Sequence, residues 1–423
     1  MNTPPTSRRR FLHTAAAAGL FSSTLPVIGQ NAPGGKKMKL GLIGCGGRGS
    51  QAVENHLDAA KKVGVEIEVH AVCDPQLDRL QGQAKRYGVP QERTFGGFDG
   101  YHKLLEAGID LVVLATPPAF RPAHFEAAVR AGKHVFCEKP VAVDPPGIRR
   151  FIAAADEAGK KGLSVVAGTQ RRHEKSYVRN AQAVKDGAIG KIVGGTIHWC
   201  QDQLWFKKRN PGESDAMYLA RNWVNWTEMS GDHIVEQHVH NIDVALWFLG
   251  RPPVSATGFG SRERRVTGNQ YDFFSVDFDF GDDVHIHSMC RQINGTTNRI
   301  AELLRGTDGV VQGGGRLTSG SGKALPPLAT GWHDNPYVQE HVHLLESILG
   351  GKALNEGRQV AESCMTAIMG RISAYTGQMI RWSEVMTQEK SPWYNLTLSP
   401  APEDFEKGEV KCPPEDTAPV PGK

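Results

Sequence analysis

Titratable side chains that could move a proton concentrate between residues 231 and 243. On a helix, Glu236 and His240 would lie one turn apart on a face that also includes His233 and Asp243. An imidazole beside a carboxylate can remove the proton of a carbinol hydroxyl while a hydride leaves, because the carboxylate orients the ring and supports its positive charge. The spacing of His233, Glu236 and His240 is also compatible with a metal site.

A second reactive group follows two apolar runs in the first half of the chain. Thr116-Pro117 follows one run, and Glu138-Lys139-Pro140 follows the next. If both runs are strands of a doubly wound sheet, these residues lie at the edge where such sheets bind ligands. Lys139 could then donate a hydrogen bond to a substrate hydroxyl and, if burial lowers its pKa, take part in proton transfer.

The glycine turn Gly44-x-Gly46-x-x-Gly49 has the spacing of a dinucleotide-binding loop and follows the apolar run 40–43. The first glycine permits a tight turn, the second lets the backbone approach a pyrophosphate, and the third allows close helix packing. Asp74 ends the next apolar run and is the candidate acid for the adenosine ribose hydroxyls. An acid there repels a 2′-phosphate, which favours NAD over NADP.

The elements that must position these residues form an α/β fold. Apolar β-type runs alternate with helix-like stretches, a pattern that predicts a doubly wound parallel sheet with helices on both faces, a Rossmann domain over residues 36–168. The strand candidates, besides 40–43, are residues 67–73, 111–115, 134–137 and 163–167.

After about residue 170 the pattern changes to period-two alternation. Residues 274–280 and 284–288 alternate apolar and polar positions around a turn at Gly281-Asp282-Asp283, and residues 193–200 and 254–259 are further strand candidates. This predicts a C-terminal α+β domain over residues 169–400 with an open, mostly antiparallel sheet. Helices are expected at 338–349 and 360–375, and residues 401–423 are expected to be an irregular tail.

The N-terminus has the pattern of a twin-arginine export signal. Arg8-Arg9-Arg10-Phe11-Leu12 precedes an Ala-rich stretch, 14–25, that is shorter than the ~20 residues of a membrane-spanning helix. We therefore expect residues 1–35 to be a signal and linker, and the mature protein to be periplasmic or extracytoplasmic without a membrane span.

Charge and cysteine content exclude several other classes of protein. The formal charge of the 423-residue chain is +4, which falls to +1 without the three arginines of the signal, so nothing indicates a nucleic-acid partner. The seven cysteines are scattered singly, without the spacing of a disulfide framework or a zinc motif.

Taken in order, the glycine turn, Asp74, Thr116-Pro117, His124 and Glu138-Lys139-Pro140 resemble the Gfo/Idh/MocA family of oxidoreductases. The resemblance continues through residues 168–172, 231–250 and 306–309. It implies an NAD(P)-dependent oxidoreductase of sugars, cyclitols or related polyols, whose C-terminal sheet often mediates oligomerisation. The family's hydride chemistry needs no metal, so no metal is predicted.

The resemblance also assigns residues to roles. His240 matches the catalytic histidine of the family, whereas Glu236 replaces its usual Asp and His238 its usual Gly. The predicted catalytic residues are Lys139, Glu236 and His240. The predicted cofactor-binding residues are Gly44, Gly46, Gly47, Arg48, Gly49, Asp74, Thr116, Pro117, His124, Glu138 and Lys139. The predicted substrate-binding residues are Lys139, Arg171, Arg172, His238 and Asp243. For Arg171 and Arg172 structural pairing is an equal alternative for one of them, and the tryptophans at 199, 205, 223 and 226 fit either a sugar platform or the core.

The leading hypothesis is an exported oxidoreductase that oxidises a secondary hydroxyl, with His240 as general base and Lys139 and Glu236 assisting. Free NAD is scarce outside the cytoplasm, so we expect the cofactor to be loaded before export and held tightly. The alternative is a glycosidase that uses transient oxidation, elimination and re-reduction, with His238 as a second acid/base. A homo-oligomer is expected in either case, and a non-catalytic sugar-binding protein is disfavoured because Lys139, Glu236 and His240 are all present.

Overall fold

The first domain is a parallel sheet of six strands. The structure is a computed structural model that describes residues 37–320, 322 and 324–422, so the predicted export signal lies outside the described residues. Strands β1 to β6 are Met38–Ile43, Ile67–Cys73, Thr94–Phe95, Leu111–Leu114, His134–Cys137 and Val165–Ala167. Their order, β3-β2-β1-β4-β5-β6 with every neighbouring pair parallel, is the Rossmann order. The predicted doubly wound sheet is confirmed.

Helices cover both faces of this sheet. Helices α1 to α5 are Gly47–Val63, Leu77–Tyr87, Gly100–Glu106, Arg121–Arg130 and Pro145–Lys160, with 3₁₀ turns at Gln91–Arg93 and Pro118–Phe120. Successive residues of β4 enter different cores: Leu111 and Val113 pack in one apolar cluster and Val112 and Leu114 in another. A strand buried on both faces needs a continuous apolar run, which is why β4 has no polar position.

The second domain is built on an eight-stranded sheet. Strands β7 to β14 are Ile192–Gln201, Ser255–Ser261, Phe273–Asp279, His285–Gln292, Arg299–Gly306, Gly309–Val311, Leu317–Ser319 and Ile380–Arg381. Their order is β13-β12-β11-β7-β10-β9-β8-β14, in which β7 and β10 pair in parallel and the other neighbours are antiparallel. The alternating residues Phe274, Val276 and Phe278 are all buried, as the period-two pattern predicts.

Helices pack on one face of this sheet, and α12 contacts β8 most extensively. Helices α6 to α14 are Lys175–Lys185, Asp215–Arg221, Thr227–Ser230, His233–Glu236, Val239–Leu249, Pro336–Leu349, Gly357–Thr376, Trp382–Met386 and Pro402–Lys407, with 3₁₀ turns at Gln170–His173 and Trp223–Asn225. The predicted helices at 338–349 and 360–375 correspond to α11 and α12. Among the described residues, no helix has the length and apolar character required to cross a membrane.

The segment 231–243 is two helices, not the single helix assumed from its spacing. The backbone N–H groups of Gln237 and His238 both donate to the carbonyl of His233, at 3.0 and 3.2 Å. His240 N–H then donates to the Gln237 carbonyl at 3.3 Å, whereas the Glu236 carbonyl accepts from Lys139 Nζ at 2.6 Å. The helix is interrupted because a side chain of the first domain takes the acceptor that the next turn would use.

The C-terminal segment is more ordered than predicted. Expected to be irregular, it contains α14, and Phe405 of this helix is buried against Phe98 and Phe120 at ring-centroid distances of 5.1 and 4.8 Å. Tyr101 Oη donates to Glu406 at 2.9 Å. The prediction was wrong for residues 402–407 because it weighed the Pro- and Glu-rich composition and not the apolar residues of this segment, such as Phe405 and Val410, that pack on the first domain.

Candidate functional site

The glycine turn between β1 and α1 has the geometry that a dinucleotide needs. Gly44 has φ of 100°, and a Cβ there would lie 2.7 Å from the Ala115 carbonyl carbon. A Cβ on Gly49 would lie 1.9 Å from the Gly44 carbonyl oxygen. Around Gly47, in contrast, a Cβ would meet nothing within 4 Å, so the backbone is open on the cavity side. The start of α1 therefore offers uncapped N–H groups to a pyrophosphate.

A cavity of about 340 Å³ opens in front of this turn. Nine of the predicted cofactor residues line it, namely Gly44, Gly46, Gly47, Arg48, Gly49, Asp74, Thr116, Pro117 and His124. Glu138 and Lys139 do not line this cavity. Its volume is in the usual range for a small-molecule pocket, and the residues present fit a dinucleotide.

Asp74 is fixed by the backbone at the end of β2. Its Oδ2 accepts from the Cys45 N–H and its Oδ1 from the Gln76 N–H, each at 2.7 Å. Burial raises the pKa of this carboxyl, and the two backbone hydrogen bonds oppose the shift. Each oxygen keeps a second lone pair, so the carboxylate retains the acceptors that the predicted contact to ribose hydroxyls requires.

Arg48 makes ion pairs with two acids of the protein. Its Nε donates to Glu138 Oε1 at 2.5 Å, and its Nη2 lies 3.3 Å from Oε1 of the buried Glu340. Thr116 Oγ1 lies 3.2 Å from His124 Nδ1. Glu138 does not line the cavity itself, but its ion pair with Arg48 links it to the cofactor turn.

Lys139 and Glu236 form a nearly buried pair between the two domains. Lys139 Nζ donates to Glu236 Oε1 at 3.0 Å as well as to the Glu236 carbonyl, and the two side chains are 10% and 7% exposed. Gln237 Nε2 donates to the other carboxylate oxygen of Glu236. These contacts hold the ammonium group at a fixed point between the two domains.

The charge of Lys139 influences the pKa of His240, but the His240 side chain makes no hydrogen bond to Lys139 or Glu236. Its side chain is buried and stacks on Trp199, with ring centroids 5.5 Å apart and an interplanar angle of 22°. No hydrogen bond to either ring nitrogen occurs within the part of the chain that the structure describes. Burial, followed by the charges of Lys139 and Arg171, lowers the pKa of His240 well below its usual value. The imidazole is therefore neutral at pH 7 and able to accept a proton.

The expected contact between Glu236 and His240 is not formed. It was inferred from helical spacing, and the helix break together with the Lys139 pair directs the carboxylate elsewhere. The metal alternative is not supported either, because no cluster of three or more potential ligands is found among the described residues.

Arg171, Arg172 and Asp243, predicted to contact substrate, are engaged with other groups of the protein. Arg172 binds Asp243 through two parallel hydrogen bonds of 2.9 Å, and Ser363 Oγ donates to the same carboxylate at 2.8 Å. Arg171 pairs with Glu302. Both arginines thus make the structural pairing that was left open for one of them, with buried acids as partners, and their contacts to substrate stay predictions.

His238, predicted to contact substrate, lies in the interior of the second domain. Its ring is fully buried, and Nε2 lies 2.7 Å from Ser288 Oγ on β10. Burial lowers its pKa to about 3. The break before α10 turns this side chain toward the sheet, where it packs as a neutral core histidine.

Sequence reasoning missed one wall of the cofactor cavity. Trp205, Lys207 and Trp223 come from the second domain and line the cavity together with Asp74. The cluster of four tryptophans in the sequence was a usable signal for this wall, but not all four line the cavity. Trp226 is fully buried, and Trp199 lies beside His240. Nothing in the sequence distinguished Lys207 from the other lysines.

Two family models match the chain. The model described as an oxidoreductase family with an NAD-binding Rossmann fold matches residues 38–166, and the Gfo/Idh/MocA C-terminal domain model matches residues 177–312. Together they cover more than half of the chain. With the Rossmann strand order and the glycine turn, they show that the chain belongs to the Gfo/Idh/MocA family of oxidoreductases.

Curated relatives include inositol 2-dehydrogenases. The chain is 26% identical over 343 residues to the inositol 2-dehydrogenase of Rhizobium meliloti, covering 77% of this chain and 91% of that one. It is 29% identical over 234 residues to the inositol 2-dehydrogenase/D-chiro-inositol 3-dehydrogenase of Lactiplantibacillus plantarum, covering 55% and 58%. The chain spans about half the length of most of the curated relatives it matches.

Solved structures share the fold. An aldose-aldose oxidoreductase from Caulobacter crescentus matches with a TM-score of 0.63 at 18% identity, over 82% of this chain and 100% of that one. A levoglucosan dehydrogenase in complex with NADH and levoglucosan matches with a TM-score of 0.65 at 16% identity, over 82% and 99%. At these identities the likeness concerns the fold alone.

Proposed function

We propose that the protein oxidises a secondary hydroxyl of a sugar, cyclitol or sugar derivative and that the hydride passes to NAD. The observation that carries the proposal is the neutral, unpartnered imidazole of His240 beside the Lys139–Glu236 pair. Family membership supports nicotinamide chemistry. The names of the inositol 2-dehydrogenase relatives support a polyhydroxylated ring as substrate.

The roles follow from the donors and acceptors of the three side chains. The ammonium group of Lys139 has three N–H donors. Two of them donate hydrogen bonds to Glu236, one to its carbonyl and one to its carboxylate. The third can bind the reacting oxygen and stabilise the negative charge that develops when its proton leaves. His240 accepts that proton, since its ring is neutral and no described residue bonds to its nitrogens. NAD supplies the hydride acceptor when bound.

The choice of NAD rests on Asp74. Its carboxylate lines the cavity and is held there by two backbone hydrogen bonds, so a 2′-phosphate would meet a fixed negative charge. This supports NAD over NADP.

We also propose that the protein is exported with its cofactor in place. The Arg8-Arg9 pattern supports a twin-arginine route, which moves folded proteins. Because a cofactor lost outside the cytoplasm would not be replaced, tight binding follows from export. Regeneration then needs a second sugar or re-reduction of the product.

A homo-oligomer through the second sheet completes the proposal. Phe259 on β8 is 71% exposed, and it points away from α12 because its neighbour Gly258 faces that helix. An exposed phenylalanine on the open face of a sheet supports an interface with a second copy. Light scattering of the wild type and of Phe259→Glu tests this: the variant should be smaller in solution.

Absorbance at 340 nm tests the proposed reaction. The purified protein, with and without added NAD, is given cyclitols, aldoses and glycosides, and the products are analysed. Formation of NADH or of a second reduced sugar is expected. Sustained cleavage of a glycoside without net NADH would contradict the proposal and favour the glycosidase alternative. His238, the second acid/base of that alternative, is fully buried, and its Nε2 lies 2.7 Å from Ser288 Oγ, which favours the oxidoreductase.

A further inference from the structure

We propose that Lys207 and Trp205 of the second domain, together with Arg79 of the first, bind a phosphate of the dinucleotide and retain the cofactor. The inference rests on the proposed function in one respect, namely that the ligand of the cavity is a dinucleotide. It assigns cofactor retention to a segment outside the Rossmann domain, residues 202–223.

Residues of this segment line the same cavity as the cofactor turn. Trp205, Lys207 and Trp223 of the second domain line it together with Asp74 and Arg79 of the first. The cavity is therefore shared by two domains. A ligand inside it is enclosed between them, where displacement of solvent strengthens each polar contact.

Hydrogen bonds to buried side chains fix the segment in this position. Asn222 Oδ1 accepts from the Lys207 N–H at 3.1 Å, and Asn225 Nδ2 donates to the Trp205 carbonyl at 2.9 Å. Both asparagines are buried. The rings of Trp205 and Trp223 meet edge to face with centroids 6.2 Å apart. The wall is thus preorganised, which lowers the entropy cost of binding.

Lys207 and Arg79 carry positive charges that no described residue pairs. Neither side chain makes a hydrogen bond or an ion pair within the described part of the chain. The pKa of Lys207 is lowered, first by burial and then by the charge of Arg79, while the charge of Asp78 opposes the shift as the smallest of the effects. The two cations repel each other, and an anion bound between them in the cavity would be attracted to both.

The position of Arg79 indicates which anion. Its Nη1 lies 3.4 Å from the point that a Cβ on Gly46 would occupy, so the guanidinium is beside the turn that approaches a pyrophosphate. A guanidinium and an ammonium group on either side of a phosphate form charge-assisted hydrogen bonds. Lys207 Nζ also lies 5.5 Å from the centre of the Trp205 ring, which helps to hold it at the cavity.

Matched pairs of variants test the proposal on the full chain. Lys207→Ala and Arg79→Ala are compared with Lys208→Ala, which removes an exposed neighbouring charge that does not line the cavity. Trp205→Ala is compared with Phe206→Ala. Dissociation constants are measured for NADH, NADPH, ADP-ribose and adenosine, and the release of bound NADH is followed by its fluorescence after a chase with excess NAD. Melting temperatures verify folding, and Lys207→Arg should restore binding.

We expect Lys207→Ala and Arg79→Ala to raise the dissociation constants of the phosphate-bearing ligands about 10-fold or more and to leave that of adenosine unchanged. Trp205→Ala should release NADH several-fold faster than Phe206→Ala. A loss with both ADP-ribose and NADH supports the proposal by assigning the pyrophosphate, whereas a loss confined to NADPH would overturn it, because NADH would then bind equally well without these side chains. Variants that bind as their controls do would overturn it while leaving the proposed function intact. A wild-type protein that binds none of the dinucleotides would overturn both.

Discussion

At the scale of single residues, the hydrogen-bond donor and the proton acceptor of the site are different side chains, Lys139 and His240. Lys139 donates two hydrogen bonds to Glu236, whereas burial, followed by the charge of Lys139, lowers the pKa of His240 well below its usual value. Both residues were identified from the sequence, because the Glu-Lys-Pro segment and the family histidine are recognisable there. Their partners were not, since the carboxylate that pairs with Lys139 lies 97 residues away in the chain.

The neutral state of His240 predicts an unusual pH profile. Because its pKa is lowered, the imidazole stays unprotonated as the pH falls through 6.5, the value of an ordinary histidine. We expect kcat/KM for substrate oxidation to show no acid limb between pH 7 and 6. A limb with an apparent pKa near 6.5 that disappears in His240→Asn would show that the ring titrates normally.

The bidentate pair of Arg172 and Asp243 predicts a loss of stability, not of substrate binding. Arg172→Ala leaves the Asp243 carboxylate buried at 2% exposure, with Ser363 as its only side-chain donor among the described residues. Breaking such a pair costs about 3–5 kcal/mol, so the urea midpoint should fall markedly. The double variant with Asp243→Asn should recover part of that loss. An unchanged midpoint with a raised KM would instead place Arg172 in contact with substrate.

At the scale of elements, local patterns predicted strands and long helices but not where a helix is interrupted. The alternation around residues 274–288 correctly gave β9, its turn and β10. The prediction of one continuous helix through residue 237 was wrong. The Glu236 carbonyl accepts a hydrogen bond from Lys139, which is distant in sequence. Periodicity reports the face that an element buries, and it carries no information on a long-range hydrogen bond.

The β1–α1 turn predicts that Gly49 tolerates no side chain. A Cβ there would lie 1.9 Å from the Gly44 carbonyl oxygen, so Gly49→Ala must shift the turn or α1. We expect a lower melting temperature and at least a 10-fold loss of NADH affinity. Gly82→Ala in α2 is the matched control, since its Cβ would meet nothing within 4 Å; it should be neutral or stabilising by about 0.5–1 kcal/mol. Equal behaviour of the two variants would contradict this account of the turn.

At the scale of the whole molecule, the division into a Rossmann domain and a mostly antiparallel second domain followed from the sequence. The contacts between these domains did not. The cavity walls from residues 205–223 and the docking of Phe405 on the first domain join parts of the chain that are far apart in sequence. The sequence spacing of such residues is not constrained by the geometry of any one element.

Buried neutral histidines predict that acid destabilises the whole molecule. The pKa values of His56, His124, His238 and His343 are lowered by burial to about 3, below the value of ~6.5 in an unfolded chain. The unfolded state therefore binds more protons below pH 6.5. Stability from these groups is complete above pH 6.5 and is lost as the pH falls toward 3, by about 1.4 kcal/mol per pH unit for each group.

Urea midpoints between pH 8 and 5 measure this effect. His238→Asn should reduce the slope of stability with pH relative to the wild type, because it removes one of the buried histidines. A midpoint that does not vary between pH 7 and 5 would be inconsistent with neutral burial of these rings.

Isotope transfer tests hydride transfer, the central claim, most directly. A cyclitol or sugar substrate carrying deuterium on the oxidised carbon is mixed with the NAD-loaded protein, and the nicotinamide is recovered and analysed by mass spectrometry. The account predicts that one deuterium appears on the nicotinamide with the wild type and that its rate of appearance falls about 10²- to 10⁴-fold in His240→Ala. Recovery of the product without label on the nicotinamide, or transfer at the wild-type rate in His240→Ala, would contradict it.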